Sequence, residues 1–407
     1  MGEKSFLITG GNFTNKGAQS MLFTAISELR KRYPGCKLFV LPLDNYKRYA
    51  KYSFNDITIL QNHPDIHSFD KSIVTNGYIL LKNTARRILG RNYVWKGLYE
   101  FRESLNQVDC ILDISGFCLS SQFPLDYNQQ LLESIEDARR NQIPIVLMPQ
   151  SFGPFNYGKN QDKMMLRIGE DLQYPAAIFA REKGCLELLK GMGLTNVSYS
   201  TDLVLQSNGI DLDEIFIKKP EMQVPEIDSE QNAAVIPNSM NLYQGDKDAA
   251  IQMYLQIVRK LIELEKTVYI LYHSNADRQL SKSVYDAFRG SDKVRFLDRE
   301  YMCFEYDEIV KKMDFIVASR YHSIVHGYKN AVPSVILGWA EKYHSLAELF
   351  GQEQFIFDVR ESISNHALPE AIDRMNRNFR EYKVHIKAEL TEIQKANCFD
   401  VLDRIVK

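Results

Sequence analysis

"ASRYHSIVHGYKNAVPSVILGW", residues 318–339, sets the reading of the whole chain. The run leading into it, "DFIVASR" (314–320), is rich in β-branched residues and too short for a typical helix, so it predicts a buried strand. "YHSIVHGYKNA" (321–331) carries helical spacing and then meets Pro333, after which "PSVILGW" (333–339) starts another strand. Side chains on the turn from the carboxyl end of a parallel strand into the next helix point into the crevice where open α/β sheets bind ligands. Arg320 and His322 stand on that turn, and the pair is a candidate site.

Working outward, the same alternation of apolar strand-like runs with amphipathic helical ones extends almost throughout, which predicts parallel sheets with covering helices. The first half offers "SFLIT", "KLFVLPL", "DCILDIS", "PIVLMPQ" and "AAIFAR" as strands; the second restarts with "AAVIPNS", "TVYILYHS", "KVRFLDR", "DFIVASR", "PSVILGW" and "FIFDV". Between the halves lies a polar, proline-punctuated break, "NGIDLDEIFIKKPEMQVPEIDSEQN". The expected architecture is therefore α/β, with two Rossmann-like domains at 1–205 and 231–367 facing each other across a cleft. Residues 206–230 form the linker, and the helical tail 368–407 packs back on the pair.

Composition narrows the function classes. Fifty basic against 52 acidic side chains leave a net charge of −2, with no basic excess of the kind that nucleic acid selects. The six cysteines show no CxxC pair, which suits a reducing compartment better than a disulfide framework or a zinc ribbon. The start "MGEKSFLITG" has no signal-peptide pattern and no apolar run approaches the roughly 18 residues of a spanning helix, so a cytoplasmic protein is expected. One segment stands apart. Residues 82–102 combine Lys82, Arg86, Arg87, Arg91, Lys96 and Arg102 with Tyr93, Trp95, Tyr99 and Phe101, a mixture able to settle at the inner face of an anionic membrane. The alternative is a solvated helix pair with a core-facing stripe.

Several strand ends carry chemistry-bearing residues. The first loop, "TGGNFTNKGAQSML" (9–22), opens a helix directly after a strand, and the backbone N–H groups there can receive an anion. Asn12, Asn15, Lys16 and Gly17 are its candidates. The loop fits neither the dinucleotide fingerprint nor a P-loop, because the lysine precedes its glycine. "ISGFCLSS" places Ser115 and Gly116 after a strand; "MPQSFGPF" places Gln150, Ser151 and Gly153; "FAREKG" places Arg181, which is either an anion clamp or half of an ion pair. His273 in "ILYHSNADRQ" and His326, four residues after His322, complete the set. The His322/His326 spacing lacks the glutamate of H-E-x-x-H and a third ligand, so no metal is expected, and no G-x-S-x-G elbow supports a hydrolase.

The order of "GGNFTNKGAQSML", "SGF", "PQSFGPF", "AREKGCLELLKGMGLTNVSYSTDLVL", "SRYHSIVHGYKNAVPSVILGW" and "EKYHSLAELFG" resembles the polysaccharide pyruvyltransferase family, from Ile8 to about Gly351. The resemblance implies a two-domain GT-B-like fold. It also implies transfer of a pyruvyl group from phosphoenolpyruvate, as co-substrate and with no further cofactor, onto two hydroxyls of a sugar in a surface-polysaccharide precursor, often lipid-linked, releasing phosphate. The family's R-x-H falls on Arg320 and His322, its later lysine on Lys342 and its "ARE" arginine on Arg181. Where the family often has an aspartate after the first-loop glycine, this chain has Ala18. The alternatives are a GT-B glycosyltransferase using a nucleotide sugar and a non-catalytic glycan-binding protein.

Overall fold

The computed structural model describes residues 3–44, 46–68, 73–89, 95–227, 230–244, 246–361 and 366–406. Arg91 and Tyr93, and the side chains of Trp95 and Lys96, lie outside what is described. The strands, in chain order, are β1 (Ser5–Thr9), β2 (Lys37–Leu41), β3 (Ser53–Phe54), β4 (Ile57–Ile59), β5 (Cys110–Asp113), β6 (Ile145–Gln150), β7 (Ala177–Ala180), β8 (Val197–Tyr199), β9 (Phe216–Lys218), β10 (Asn232–Ile236), β11 (Thr267–Ile270), β12 (Val294–Phe296), β13 (Phe315–Ala318), β14 (Ser334–Gly338) and β15 (Ile356–Asp358). A seven-stranded sheet runs β4-β2-β1-β5-β6-β7-β8 and a six-stranded one β12-β11-β10-β13-β14-β15, with every described pairing in both parallel. Helices on both faces explain why β1, β5, β6, β10, β13 and β14 are buried at every position and read as continuous apolar runs. The fold is α/β with two Rossmann-like lobes of GT-B type.

Every strand run expected from the sequence corresponds to an observed strand. β3, β4, β8 and β9 were missed because strands of two or three residues carry too little apolar signal. The break between the halves is not a free linker. Its β9 pairs antiparallel with β3 of the first half, and Gln223 N donates to Glu305 Oε1 at 2.8 Å.

The chain order of each sheet reverses once. In the first lobe the chain leaves β1 toward β2 and β4, then returns to β5 beside β1; in the second it leaves β10 toward β11 and β12, then returns to β13 beside β10. These two switch points are where ligand crevices form in doubly wound sheets. One apolar cluster is continuous across the lobes, with Phe23 of the first stacked on Phe304 of the second at 6.2 Å. The helix Ala367–Ile393 packs on the second lobe, and the residues beyond it return to the first: Asn397 Nδ2 donates to Glu28 Oε2 at 2.9 Å and Cys398 N to Gln206 Oε1 at 2.7 Å.

Candidate active site between the lobes

The two switch points meet at Gly17 and His322. Asn15 caps the helix Lys16–Arg32, its side chain accepting from Gly17 N at 2.9 Å and Ala18 N at 3.5 Å, and Asn12 Oδ1 folds the turn before it by accepting from the Thr14 and Asn15 amides. This delivers Gly17 to the facing lobe so closely that an added Cβ would stand 2.2 Å from His322 Cγ and 2.4 Å from its Nδ1. Only glycine permits that approach. The helix has no acidic residue in its first turn, where the related pattern carries aspartate in place of Ala18.

His322 keeps 15% of its side chain exposed, and its Nε2 lies 3.5 Å from Asp202 Oδ2. Burial pushes the imidazole below its ordinary range, while Asp202 pulls the other way. Burial by itself would raise Asp202, but His322 and Arg181 together hold it well below the usual carboxylate range. Arg181 Nη1 donates to Asp202 Oδ2 at 2.8 Å, its Nη2 to Ser151 Oγ at 2.7 Å and its Nε to Glu182 Oε1 at 3.3 Å. The ion-pair reading of Arg181 is thus what the structure contains: a buried guanidinium locked between two carboxylates, under the Tyr321 ring at 4.2 Å. Ser151 closes the network by donating to Glu182 Oε1 at 2.7 Å.

Arg320 is fixed differently. Asp277 takes one edge of its guanidinium, accepting from Nε at 2.8 Å and Nη2 at 2.7 Å, and Nη1 is left for a ligand. Lys342 is ringed by aromatic side chains, its ammonium 4.9 Å from the Phe117 ring centre, 5.7 Å from Tyr343 and 5.8 Å from Tyr321, with the Glu182 carboxylate acting on it at longer range. Burial, helped by the nearby Arg181 charge, lowers it to about 8. Lys342 lines a cavity of about 290 Å³ between the lobes, with Phe117, Ser151, Gly153 and Glu182 on the opposite wall. Tyr321 links this cavity to the dyad, its ring meeting Lys342, Arg181 and, edge-on at 5.3 Å, His322. A second cavity of about 380 Å³ lies at the β2/β12 end of the same inter-lobe crevice, lined by Phe13, Arg48, Lys51, Tyr52 and Tyr301 among others.

The remaining expected residues divide into two groups. Ser115 and Gln150 serve Asp113, whose carboxylate accepts from Thr9 Oγ1 at 2.8 Å, Ser115 N and Oγ at 3.1 Å and Gln150 Nε2 at 3.4 Å, tying together the ends of β1, β5 and β6. Gly116 and Gly153 hold positive φ there, where an added Cβ would meet Met21 and Leu188. Lys16, His273 and His326, expected to contact a ligand, are all three buried. Lys16 crosses into the second lobe and donates to the His273 carbonyl at 3.1 Å, Asn15 forms an isolated bridge with Ser274, and His326 Nδ1 pairs with Asp307 Oδ1 at 2.7 Å. Asp202 and Tyr321 were missed; the only signal for Asp202 was a single carboxylate after a short edge strand. Among the described residues no group of three His, Cys, Asp or Glu side chains is placed to hold a metal ion, and no helix is long and apolar enough to cross a membrane.

A family model described as polysaccharide pyruvyl transferase matches residues 15–341. Sequence comparison with curated proteins gives no match. Among solved structures, this chain is similar to Anabaena HepE in complex with UDP-glucose (10% identity, TM-score 0.56, 98% of each chain covered) and to the UDP complex of S. aureus MnaA (12% identity, TM-score 0.56, 99% of this chain and 95% of that one). The UDP-GlcNAc 2-epimerase from Methanocaldococcus jannaschii is similar too, at 10% identity and TM-score 0.54 over 91% of this chain and 92% of the other. At such identities the likeness is one of fold.

Proposed function

Because the chain belongs to the polysaccharide pyruvyl transferase family, we propose that it moves the pyruvyl group of phosphoenolpyruvate onto two hydroxyls of a sugar in a surface-polysaccharide precursor, forming a cyclic ketal. The observation that carries this reading is the convergence on one crevice of an ammonium ringed by aromatic side chains, Lys342, a half-engaged guanidinium, Arg320, and an imidazole, His322, with Asp202 3.5 Å from its Nε2. The donor presents a carboxylate and a phosphate to the two cations. His322 gives its proton to the methylene carbon, and the first sugar hydroxyl adds to the adjacent carbon, its proton returning to the imidazole. Phosphate then leaves with its bonding electron pair, and the second hydroxyl closes the ring, its proton leaving with the phosphate. Arg181 serves this reaction through Asp202, as a positioning residue: each of its three guanidinium nitrogens already donates, to Glu182, Asp202 and Ser151.

The protonation state follows from the environment. In the free protein burial favours neutral His322, and the arriving anions favour the charged form, so the acid is generated as the donor binds. A lipid-borne acceptor would bring this chemistry to the inner membrane surface. The test is phosphate release from phosphoenolpyruvate against a panel of hexose acceptors, with His322→Ala beside the unaltered protein. Acceptor-dependent release that falls by about 10²- to 10⁴-fold in the variant is expected, the range of general acid catalysis. Near-normal turnover of His322→Ala would remove the assigned acid. Nucleoside diphosphate liberated from a nucleotide sugar, with no phosphate from phosphoenolpyruvate, would transfer the reading to a glycosyltransferase.

A further inference from the structure

The helix Ile73–Ile88 buries Ile79 and Asn83, the Asn83 side-chain amide donating to the Ile79 carbonyl at 3.0 Å, but leaves Tyr78, Leu81 and Ile88 65%, 73% and 79% exposed. With Ala85 between them these residues follow the 3-4-3 spacing of one helical face, and exposed Leu89 continues it. Scattered exposed apolar side chains need no explanation, but a continuous stripe on a helix marks a surface that something covers.

Charge identifies the cover. The helix carries Lys82, Arg86 and Arg87 and no acidic residue. Lys82 and Arg86 border the stripe on the side of Asp65, which they share at 2.8 Å and 3.6 Å, and the Lys82 ammonium lies 5.9 Å from the Tyr78 ring. The neighbouring helix Trp95–Leu105 adds exposed Tyr99 and contributes Arg102 with Glu100 and Glu103. A convex apolar stripe edged by cations is the form of a helix lying in the plane of a membrane interface. A second copy of this chain docked about a two-fold axis would instead bring the same cations against themselves. We propose that the 73–89 segment seats the protein on an anionic lipid bilayer, with Tyr78, Leu81, Ile88 and Leu89 entering the headgroup and acyl boundary and Lys82 and Arg86, two cations that share one carboxylate, meeting anionic headgroups. This inference does not depend on which group the enzyme transfers.

The experiment is co-sedimentation of the full chain with vesicles of phosphatidylcholine alone and of phosphatidylcholine mixed with phosphatidylglycerol, run beside sedimentation velocity without lipid. The protein is expected to pellet with the anionic vesicles, to be released by raised salt, and to lose about tenfold in affinity in the double variant Leu81→Glu/Ile88→Glu. Leu81→Ser/Ile88→Ser, which adds no charge, should weaken binding in the same direction, and circular dichroism should show both variants folded, since the replaced side chains face solvent. No pelleting of the unaltered protein, or pelleting of both variants equal to that of the unaltered protein, overturns the proposal. So does a dimer of the unaltered chain that becomes monomeric in the variants, which would identify the stripe as an interface between copies.

Discussion

At the scale of single residues the crevice separates cations by what already holds them. Removing Arg181 would leave Asp202 and Glu182 as buried unpaired charges, a loss of about 3–5 kcal/mol for a broken buried pair, so its replacement would report on folding before it reported on chemistry. Lys342 has no such debt, because aromatic rings surround it and it is already lowered to about 8. As pH rises through about 8 the ammonium loses its proton and the anionic donor loses that attraction, so kcat/KM for phosphoenolpyruvate should fall above that pH in the unaltered protein. Lys342→Arg should abolish this limb, since a guanidinium stays charged there. Lys16 is also lowered to about 8 by burial, but it is bonded within the second lobe to the His273 carbonyl. A limb that survived Lys342→Arg would move the assignment away from Lys342.

At the scale of elements, the helix Lys16–Arg32 does two jobs with one cap. Asn15 satisfies the first amides and so fixes where Gly17 stands. Asn15→Ala should cost about 1 kcal/mol in chemical denaturation, the usual loss for a removed N-cap acceptor. Asn15→Asp should keep that stability, since a carboxylate also accepts from the amides and suits the positive helix end, yet raise the donor KM by adding negative charge near the anion site. Equal donor KM in the two proteins would separate the helix terminus from donor binding. Ala18, Met21, Leu22, Ala25, Ile26 and Leu29 at three- and four-residue spacing read as a helix with one buried face, and the helix is there, but Lys16, Gly17 and every residue from Gln19 to Arg30 are buried, so it is covered all round. In the helix Ile73–Ile88 the face that turns inward is the one bearing Ile79 and Asn83.

At the scale of the whole molecule two glycines stand where the lobes come close, and they differ in what an added methyl would meet. A methyl at Gly184 would meet the Glu341 carboxylate at 2.6 Å, and a methyl at Gly17 would meet the ring and Cβ of His322 at 2.2–2.5 Å. The carboxylate sits at the end of a flexible chain and can swing aside, whereas His322 is held by its own backbone and Asp202. Helix propensity favours alanine over glycine by about 1 kcal/mol. Overpacking typically costs about 1–3 kcal/mol, so at Gly17 the clash prevails. Gly17→Ala should therefore depress kcat strongly and increase the radius of gyration in small-angle scattering as the lobes part, while Gly184→Ala should change both little. Matching behaviour of the two variants would show that the Gly17 contact does not set the spacing.

The sequence by itself determined the alternation of strands and helices, the restart after residue 230 and the turns that bear Arg320, His322 and Lys342, because each is written in local periodicity and in residues only a few positions apart. Only the tertiary structure decided which cations stay available. Arg181 finds Asp202, Arg320 finds Asp277 and Lys16 finds the His273 carbonyl, leaving Lys342 to aromatic rings. Charge neutralisation is settled by partners that folding brings from distant parts of the chain, and no local pattern records them.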